Sequence, residues 1–236
     1  WRSLEFRSGA PLPFDTGPTK RFRRHVLPLD RTFGDLKKAV RASTLRNVRH
    51  AEAAGIRVRT ACTLSAMRDF YTLLCKTRKR HGLPPQPWYF FETLFKEALL
   101  KDCGNLFIVH HTGRPVAGAI FLHFRKHAIY KFGASDERFH HLRANNLIMW
   151  KAIQHYVETG CQSLDLGRTE IGHNGLLQYK RGWGATETTL YYYRYDTRRR
   201  RFLSEKEVAP PGHALLRKLP MPVLRAIGNW LYPHVG

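Results

Sequence analysis

The sequence predicts an α/β (α+β) fold in which a mixed sheet is flanked by helices. Counted from Ile56, the strand and helix patterns follow in the order β, α, α, β, β, β, α, β, α, β. The three consecutive strands are separated by short turns, which favours an antiparallel meander. The chain has 236 residues, 43% of them hydrophobic, which is enough for one large or two small globular domains.

The N-terminal quarter of the chain is predicted to hold one strand and two helices. Residues 1–20 are rich in Gly and Pro and indicate no regular element. A strand is predicted over residues 21–30, followed by a short helix capped by Asp30 or Thr32. Ser43 is the predicted N-cap of a second helix, and Gly55 is its predicted end.

Two amphipathic helices are predicted after a short strand from Ile56 to Arg59. Thr63 or Ser65 opens the first helix, which ends in the basic segment KTRKRHG, where Gly82 stops it. The second helix, from Tyr89 to Leu100, has aromatic and aliphatic residues at core spacing. Both helices are interpreted as scaffolding.

The second half of the chain supplies most of the predicted sheet. The predicted elements are strands 105–111, 115–125 and 128–134, a helix over 143–159, a strand over 163–166, a helix over 175–181 and a strand over 186–196. Trp150, on the long helix, is expected in the hydrophobic core. The C-terminal stretch, broken by Pro220 and Pro222, predicts two short amphipathic pieces that either dock on the domain or lie in a membrane interface.

Charge and cysteine content limit the partners and the compartment. Lys and Arg outnumber Asp and Glu by 40 to 18, a formal charge of +22, which predicts a polyanionic partner. The four cysteines show no metal-binding spacing, so no metal site is expected. Cys75 and Cys161 lie in apolar patterns and are expected to be buried free thiols, which suits a reducing cytoplasm. No apolar run reaches the ~18 residues of a membrane span.

The element order is that of the GNAT acyltransferase fold, and four segments make the resemblance more specific. The segments are FYTLLCKTRKRHGLPPQP, AIYKFGASDERFHHLRANNLIMWKAI, SLDLGRTE and GLLQYKRGWGA. Together they resemble the second domain of the Fem-type aminoacyltransferases and the related BioF-like acetyltransferase domains. STLRNVRHAEAAGIRV resembles the helix that ends the preceding domain in those proteins. The chain also begins with Trp1 instead of Met, so an upstream part is expected to be missing.

The resemblance implies three regions. Residues 1–55 would be the remnant of a first GNAT-like domain, residues 56–196 the second GNAT-like domain, and residues 197–236 a basic amphipathic tail. It also implies transfer of an acyl or aminoacyl group onto an amine, typically of a peptidoglycan precursor. The donor would be aminoacyl-tRNA or acyl-CoA, with no tightly bound cofactor. The usual acyl-CoA loop has only one weak candidate, FGASDERFHHLRANN, which lacks a Gly-x-Gly.

The resemblance also indicates the candidate site residues. Lys180 aligns with the lysine of an aromatic-Lys motif and would hold a phosphate or the developing oxyanion. Tyr179 occupies the aromatic position of this motif and would stack on a nucleobase or on the substrate. Asp165, expected at a strand end, could act as a base for the amine, orient Arg168 or cap the following turn.

Further candidates lie on the neighbouring elements. Alternation places either Tyr130 or Lys131 in the site. Arg46 and Arg49 share a helix face, which is either a basic surface or a clamp for donor phosphate.

Three functional hypotheses follow. The first is a Fem-like transferase that acts on an amine of a cell-envelope precursor, related to peptidoglycan or exopolysaccharide. The second is a GNAT-type N-acyltransferase that uses acyl-CoA. The third is a non-catalytic module that binds nucleic acid or membrane. The expected location is the cytoplasm or, through contact of the C-terminal tail, the inner face of the membrane. The oligomeric state stays open.

Overall fold

A nine-stranded mixed sheet runs through the protein. The computed structural model describes residues 2–207 and 216–232. The strands are β1 (Ser3–Ser8), β2 (Lys20–Pro28), β3 (Val58–Ala61), β4 (Gly104–His111), β5 (Arg114–Phe124), β6 (His127–Ser135), β7 (Ser163–Glu170), β8 (Thr186–Asp196) and β9 (Arg201–Phe202). The helices are α1 (Phe33–Ala39), α2 (Ala42–Ala53), α3 (Leu64–Arg80), α4 (Trp88–Leu94), α5 (Ala144–Glu158), α6 (Asn174–Arg181) and α7 (Met221–Leu231).

The strand order is β1-β8-β2-β7-β6-β5-β4-β3, with β9 paired to β8. β6 and β7 pair in parallel, and the other described pairs are antiparallel. The predicted meander is confirmed as β4, β5 and β6. Thr112 and Gly113 have φ of 49° and 75° at the first turn, the left-handed conformation that tight hairpins need.

The sheet separates two cores because side chains alternate between its faces. Leu106 and Ile108 of β4 join the core under α3 and α4. Phe107 and Val109 face the opposite core, which holds α2, α5 and Trp183. Trp150 is 6% exposed in that second core, as predicted.

Several local predictions are confirmed. Thr32 caps α1 by accepting from the Asp35 amide, and Thr63 caps α3 by accepting from the Ala66 amide. Cys75 and Cys161 are buried free thiols, as expected.

Three local predictions are wrong. Residues 3–8 form β1, an exposed edge strand held by main-chain pairing to β8, so it lacks the apolar alternation that would reveal it. Helix α2 begins one residue before Ser43, and Arg41 occupies the cap position without a side-chain bond. Strand β7 continues to Glu170, four residues beyond the predicted end at Leu166, because β2 pairs along its whole length.

The first 55 residues are part of the same sheet as the rest of the chain. β2 lies between β7 and β8, and β1 pairs with the other edge of β8. The expected boundary at residue 55 therefore does not separate two sheets, and the assignment of residues 1–55 to a preceding domain stays a proposal.

The C-terminal stretch forms a short 3-10 turn at Leu216–Lys218 and helix α7. Of the two interpretations for this stretch, the structure shows docking. Leu224 is fully buried, Met221 packs against the α3 core, and Arg225 lies 5.5 Å from the ring of Tyr71. Residues 208–215 and 233–236 of the predicted tail lie outside the described residues. Within the described part of the chain, no helix is long and apolar enough to cross a membrane.

Candidate active site

The parallel strands β6 and β7 separate after a short paired segment, and we call this separation the cleft. They pair only at His127 with Ser163, Ala128 with Leu164 and Ile129 with Asp165. Beyond this point both strands continue, β6 to Ser135 and β7 to Glu170, without pairing to each other. Beyond the paired segment, the facing main-chain groups of β6 and β7 have no partner on the other strand and need partners elsewhere.

A β-bulge in each strand accompanies the separation. On β7, Leu166 and Gly167 together face the single residue His25 of β2, and Gly167 has φ of 75°. On β6, Lys131 is the extra residue between Tyr130 and Phe132. Because a bulge bends a strand and turns its side chains, the two bulges direct β6 and β7 apart.

Lys180 lies beneath the bulge of β7. Its side chain comes from α6 and is 3% exposed, and Nζ donates to Gly167 O at 2.8 Å and Arg168 O at 3.2 Å. Burial lowers the pKa of Lys180 to about 8, and the charge of Asp165 opposes the shift. The lysine thus brings a cation to the opening of the cleft.

Asp165 lies in mid-strand instead of at the strand end expected from the sequence. Its Oδ1 accepts from the Gly167 amide at 2.7 Å, and its Oδ2 accepts from Arg24 Nε at 2.7 Å. The carboxylate therefore supports the bulge and pairs with β2. Arg168 points elsewhere, over the rings of Phe22 at 4.6 Å and Tyr192 at 4.9 Å.

Tyr130 lines the β6 side of the opening, and Lys131 is exposed at the bulge. The Tyr130 hydroxyl covers Gly133, where an added Cβ would lie 1.6 Å from it. Burial raises the pKa of Tyr130 to about 12, so the phenol is neutral at pH 7. Of Tyr130 and Lys131, Tyr130 approaches the bulge of β7, where its main-chain carbonyl lies 3.8 Å from the position of a Cβ added to Gly167.

Tyr179 and Lys180 are adjacent in sequence but point in different directions. Tyr179 donates to Asn145 O at 3.3 Å and packs edge-on against Trp183 at 5.9 Å. Burial raises the pKa of Tyr179 far above its ordinary value. The ring is half-buried and forms part of the wall between α5 and α6.

A basic cavity of about 630 Å³ lies at the end of β6. It is lined by cations from α3 and the following loops, namely Lys76, Lys79, Arg80, Arg138 and Arg217. Asp136 anchors two of them, accepting from Lys76 at 2.8 Å and from Arg138 at 2.6 Å. Hydrogen bonds from Arg138 hold the pKa of Asp136 well below its usual range. Four residues of the candidate loop FGASDERFHHLRANN, Ser135 to Arg138, also line this cavity.

Arg46 and Arg49 lie on the exposed face of α2. The start of this helix approaches the end of α6, where Arg41 N donates to Gly182 O at 2.9 Å. Neither arginine has an ion pair within the part of the chain that the structure describes. The structure gives no contact between this pair and Lys180.

The sequence matches the family described as acetyltransferase (GNAT) domain over residues 38–181, more than half of the chain. The chain belongs to this GNAT family. The matched region is therefore an acyltransferase domain, and its cleft is the candidate active site. A search of curated proteins finds no match.

Solved structures show the same fold at low sequence identity. FemX matches with a TM-score of 0.65 and 15% identity over 79% of this chain and 65% of that chain. L-PGS from Bacillus licheniformis matches with a TM-score of 0.54 and 12% identity over 96% of this chain and 67% of that chain. The GCN5-related N-acetyltransferase from Sphaerobacter thermophilus matches with a TM-score of 0.51 and 15% identity over 76% of this chain and 52% of that chain. The chain thus spans 65% of the length of FemX.

Sequence reasoning missed Gly133, Asp136 and Arg24 as parts of the site. Gly133 and Asp136 lie in the loop segment singled out by the resemblance, so the signal was present. Arg24 joins the site only through the pairing of β2 with β7, which no local pattern reveals.

Proposed function

We propose that this GNAT domain transfers an acyl or aminoacyl group from a phosphate-bearing donor to an amine of a cell-envelope precursor. The precursor would be related to peptidoglycan or exopolysaccharide. The observation that carries the proposal is buried Lys180 at the separation of β6 and β7, with a cavity of five cations beyond it. A charged donor would enter at this cavity, which we call the donor cavity, and would extend its carbonyl toward Lys180.

The chemistry requires orientation and charge more than a nucleophile from the protein. An amine attacks the activated carbonyl, a tetrahedral oxyanion forms, and the donor alcohol or thiol leaves. A lysine ammonium has three donors, and Lys180 directs two of them to main-chain carbonyls. The third is available to the oxyanion or to a donor phosphate.

The other predicted residues receive supporting roles in this proposal. Tyr130 and Tyr179 form apolar walls that exclude water, and Lys131 meets the donor from the exposed side of the bulge. Asp165 holds the bulge that presents the Gly167 carbonyl. Its use as a base for the amine would require release of Arg24. Arg168 contacts the substrate, and Arg46 and Arg49 contact donor phosphate if the donor is large.

Two donors suit the basic cavity. The motif resemblance to the Fem-type aminoacyltransferases supports aminoacyl-tRNA, and membership of the GNAT family supports acyl-CoA. Neither requires a tightly bound cofactor. Both donors are cytoplasmic, which places the reaction in the cytoplasm or at the inner face of the membrane.

The proposal is tested by a transfer assay on the full-length protein, with charged tRNA and acyl-CoA compared as donors for an amine acceptor. We expect transfer from one donor, and we expect Lys79→Gln in the donor cavity to raise its KM about tenfold. The matched control is Lys37→Gln, an exposed lysine on α1. Binding of nucleic acid without transfer from either donor would contradict the proposal and favour a non-catalytic module.

A further inference from the structure

A second cavity, of about 580 Å³, lies beside the last three residues of β7, Arg168, Thr169 and Glu170. β2, β7 and β8 form its floor, and the ends of α3 and α6 form its rim. Seven of its lining residues, including Lys20, Phe22 and Tyr192, fall outside the family match at 38–181. This β2–β7 cavity therefore extends beyond the matched region.

The β2–β7 cavity has unpaired positive charge. Within the described residues, Lys20, Arg78 and Arg168 line it without a carboxylate partner. Glu5, also in the wall, is already paired with Arg7 and Arg194. Glu170 is the remaining carboxylate. An anion would relieve the repulsion among the three cations.

Two side chains are prepared for such a ligand. Arg168 is fixed between Phe22 and Tyr192 and donates to the Tyr192 hydroxyl at 2.5 Å, so part of its guanidinium is already ordered. Thr169 is 3% exposed and lines the cavity, and its hydroxyl has no hydrogen-bond partner in the described structure. A buried hydroxyl without a partner is costly. The Thr169 hydroxyl is closed to solvent, so a bound oxyanion would satisfy it once the side chain rotates toward the cavity.

The cavity is coupled to the lysine of the cleft. The Arg168 carbonyl accepts from Lys180 Nζ at 3.2 Å, while the Arg168 side chain lines the cavity. The end of α3 separates the two cavities, with Arg78 facing this one and Lys79 facing the donor cavity. A ligand bound by the Arg168 side chain would therefore contact the residue whose carbonyl accepts from Lys180, outside the donor cavity.

We propose that the β2–β7 cavity binds the oxyanion of the acceptor, which is a phosphate- or carboxylate-bearing amine. The inference rests on the proposed transfer reaction. Arg168 and Thr169 hold the oxyanion, and Lys20 and Arg78 contribute charge. The amine extends past Gly167 toward the donor carbonyl.

The test measures binding to the full chain by calorimetry, independently of transfer. The probes are O-phosphoethanolamine, β-alanine and ethanolamine, which carry a phosphate, a carboxylate and no anion. We expect one anionic amine to bind about tenfold more tightly than ethanolamine or better. Arg168→Gln should weaken that binding about tenfold, and Arg138→Gln in the donor cavity should leave it within about twofold.

Thr169→Val is a second variant, which should change binding and stability in opposite directions. It should weaken binding of the anionic amine and raise the melting temperature by about 2 °C, because the unpaired hydroxyl is removed.

Equal binding of ethanolamine, no binding of any probe, or an equal loss in Arg138→Gln would overturn the inference. If the binding pattern holds but no transfer occurs, the proposed reaction is wrong and the site stands. If transfer occurs with an acceptor KM independent of Arg168, only the site is wrong.

Discussion

Burial of Lys180 makes the stability of the protein depend on pH. Its pKa falls from 10.5 to about 8 on folding, so between these values the unfolded chain binds more protons than the folded protein. The free energy of unfolding therefore rises with pH across this window. Below pH 8 the lysine is charged in both states, so the folded protein carries the full cost of burying the ammonium. Urea unfolding from pH 7.5 to 10.5 should show this rise in the wild type and not in Lys180→Met.

Comparison with Lys37→Met isolates the effect of Lys180. Lys37 is exposed, so its replacement should leave the pH profile of the wild type unchanged. Identical slopes in wild type and Lys180→Met would show that the amine is solvated.

Gly133 is required because the Tyr130 hydroxyl lies over it. In Gly133→Ala the new Cβ would lie 1.6 Å from that oxygen, so Tyr130 must leave its position beside the cleft. We expect a loss of about 1–3 kcal/mol in the free energy of unfolding, as for other overpacked sites. Tyr130→Phe in the same protein should recover part of it. The matched change Gly175→Ala, where nothing lies within 4 Å, should be tolerated. Equal stability of the two alanine variants would contradict this packing.

At the level of elements, the regular helices and the meander were predictable from periodicity, caps and turn residues. Strand β7 was predicted too short because Gly167 and Arg168 read as a turn, although pairing with β2 carries the strand through a bulge to Glu170. The exposed edge strand β1 had no local signal at all. Elements stabilised by distant main-chain pairing were the ones missed.

Helix α7 docks through its closest approach at Gly228. An added Cβ there would lie 2.1 Å from the Pro85 carbonyl, so Gly228→Ala should force α7 away from α3 and the loop at Pro85. We expect faster hydrogen exchange and proteolysis over residues 221–231, with little change in the sheet. Ala226→Ser, on the exposed face, is the control. Unchanged protection in Gly228→Ala would show that α7 is not anchored there.

For the whole molecule, the family resemblance predicted the fold and its motifs, and the structure supplied the geometry. The motif QYKRGWG indicated Lys180 as a candidate, but it did not indicate the partners of the lysine, because Gly167 and Arg168 meet it only through the bulge of β7. The formal charge of +22 predicted a polyanionic partner without locating it. The structure concentrates cations in two cavities on either side of the end of α3.

The central claim is that Lys180 assists acyl transfer at the separation of β6 and β7. Single-turnover transfer by the full-length protein, with saturating donor and acceptor, measures this step without product release. We predict that Lys180→Met slows transfer about 100-fold, as for loss of one donor to a developing oxyanion, while donor binding persists. Lys37→Met should match the wild type. Transfer at the wild-type rate by folded Lys180→Met would contradict the claim.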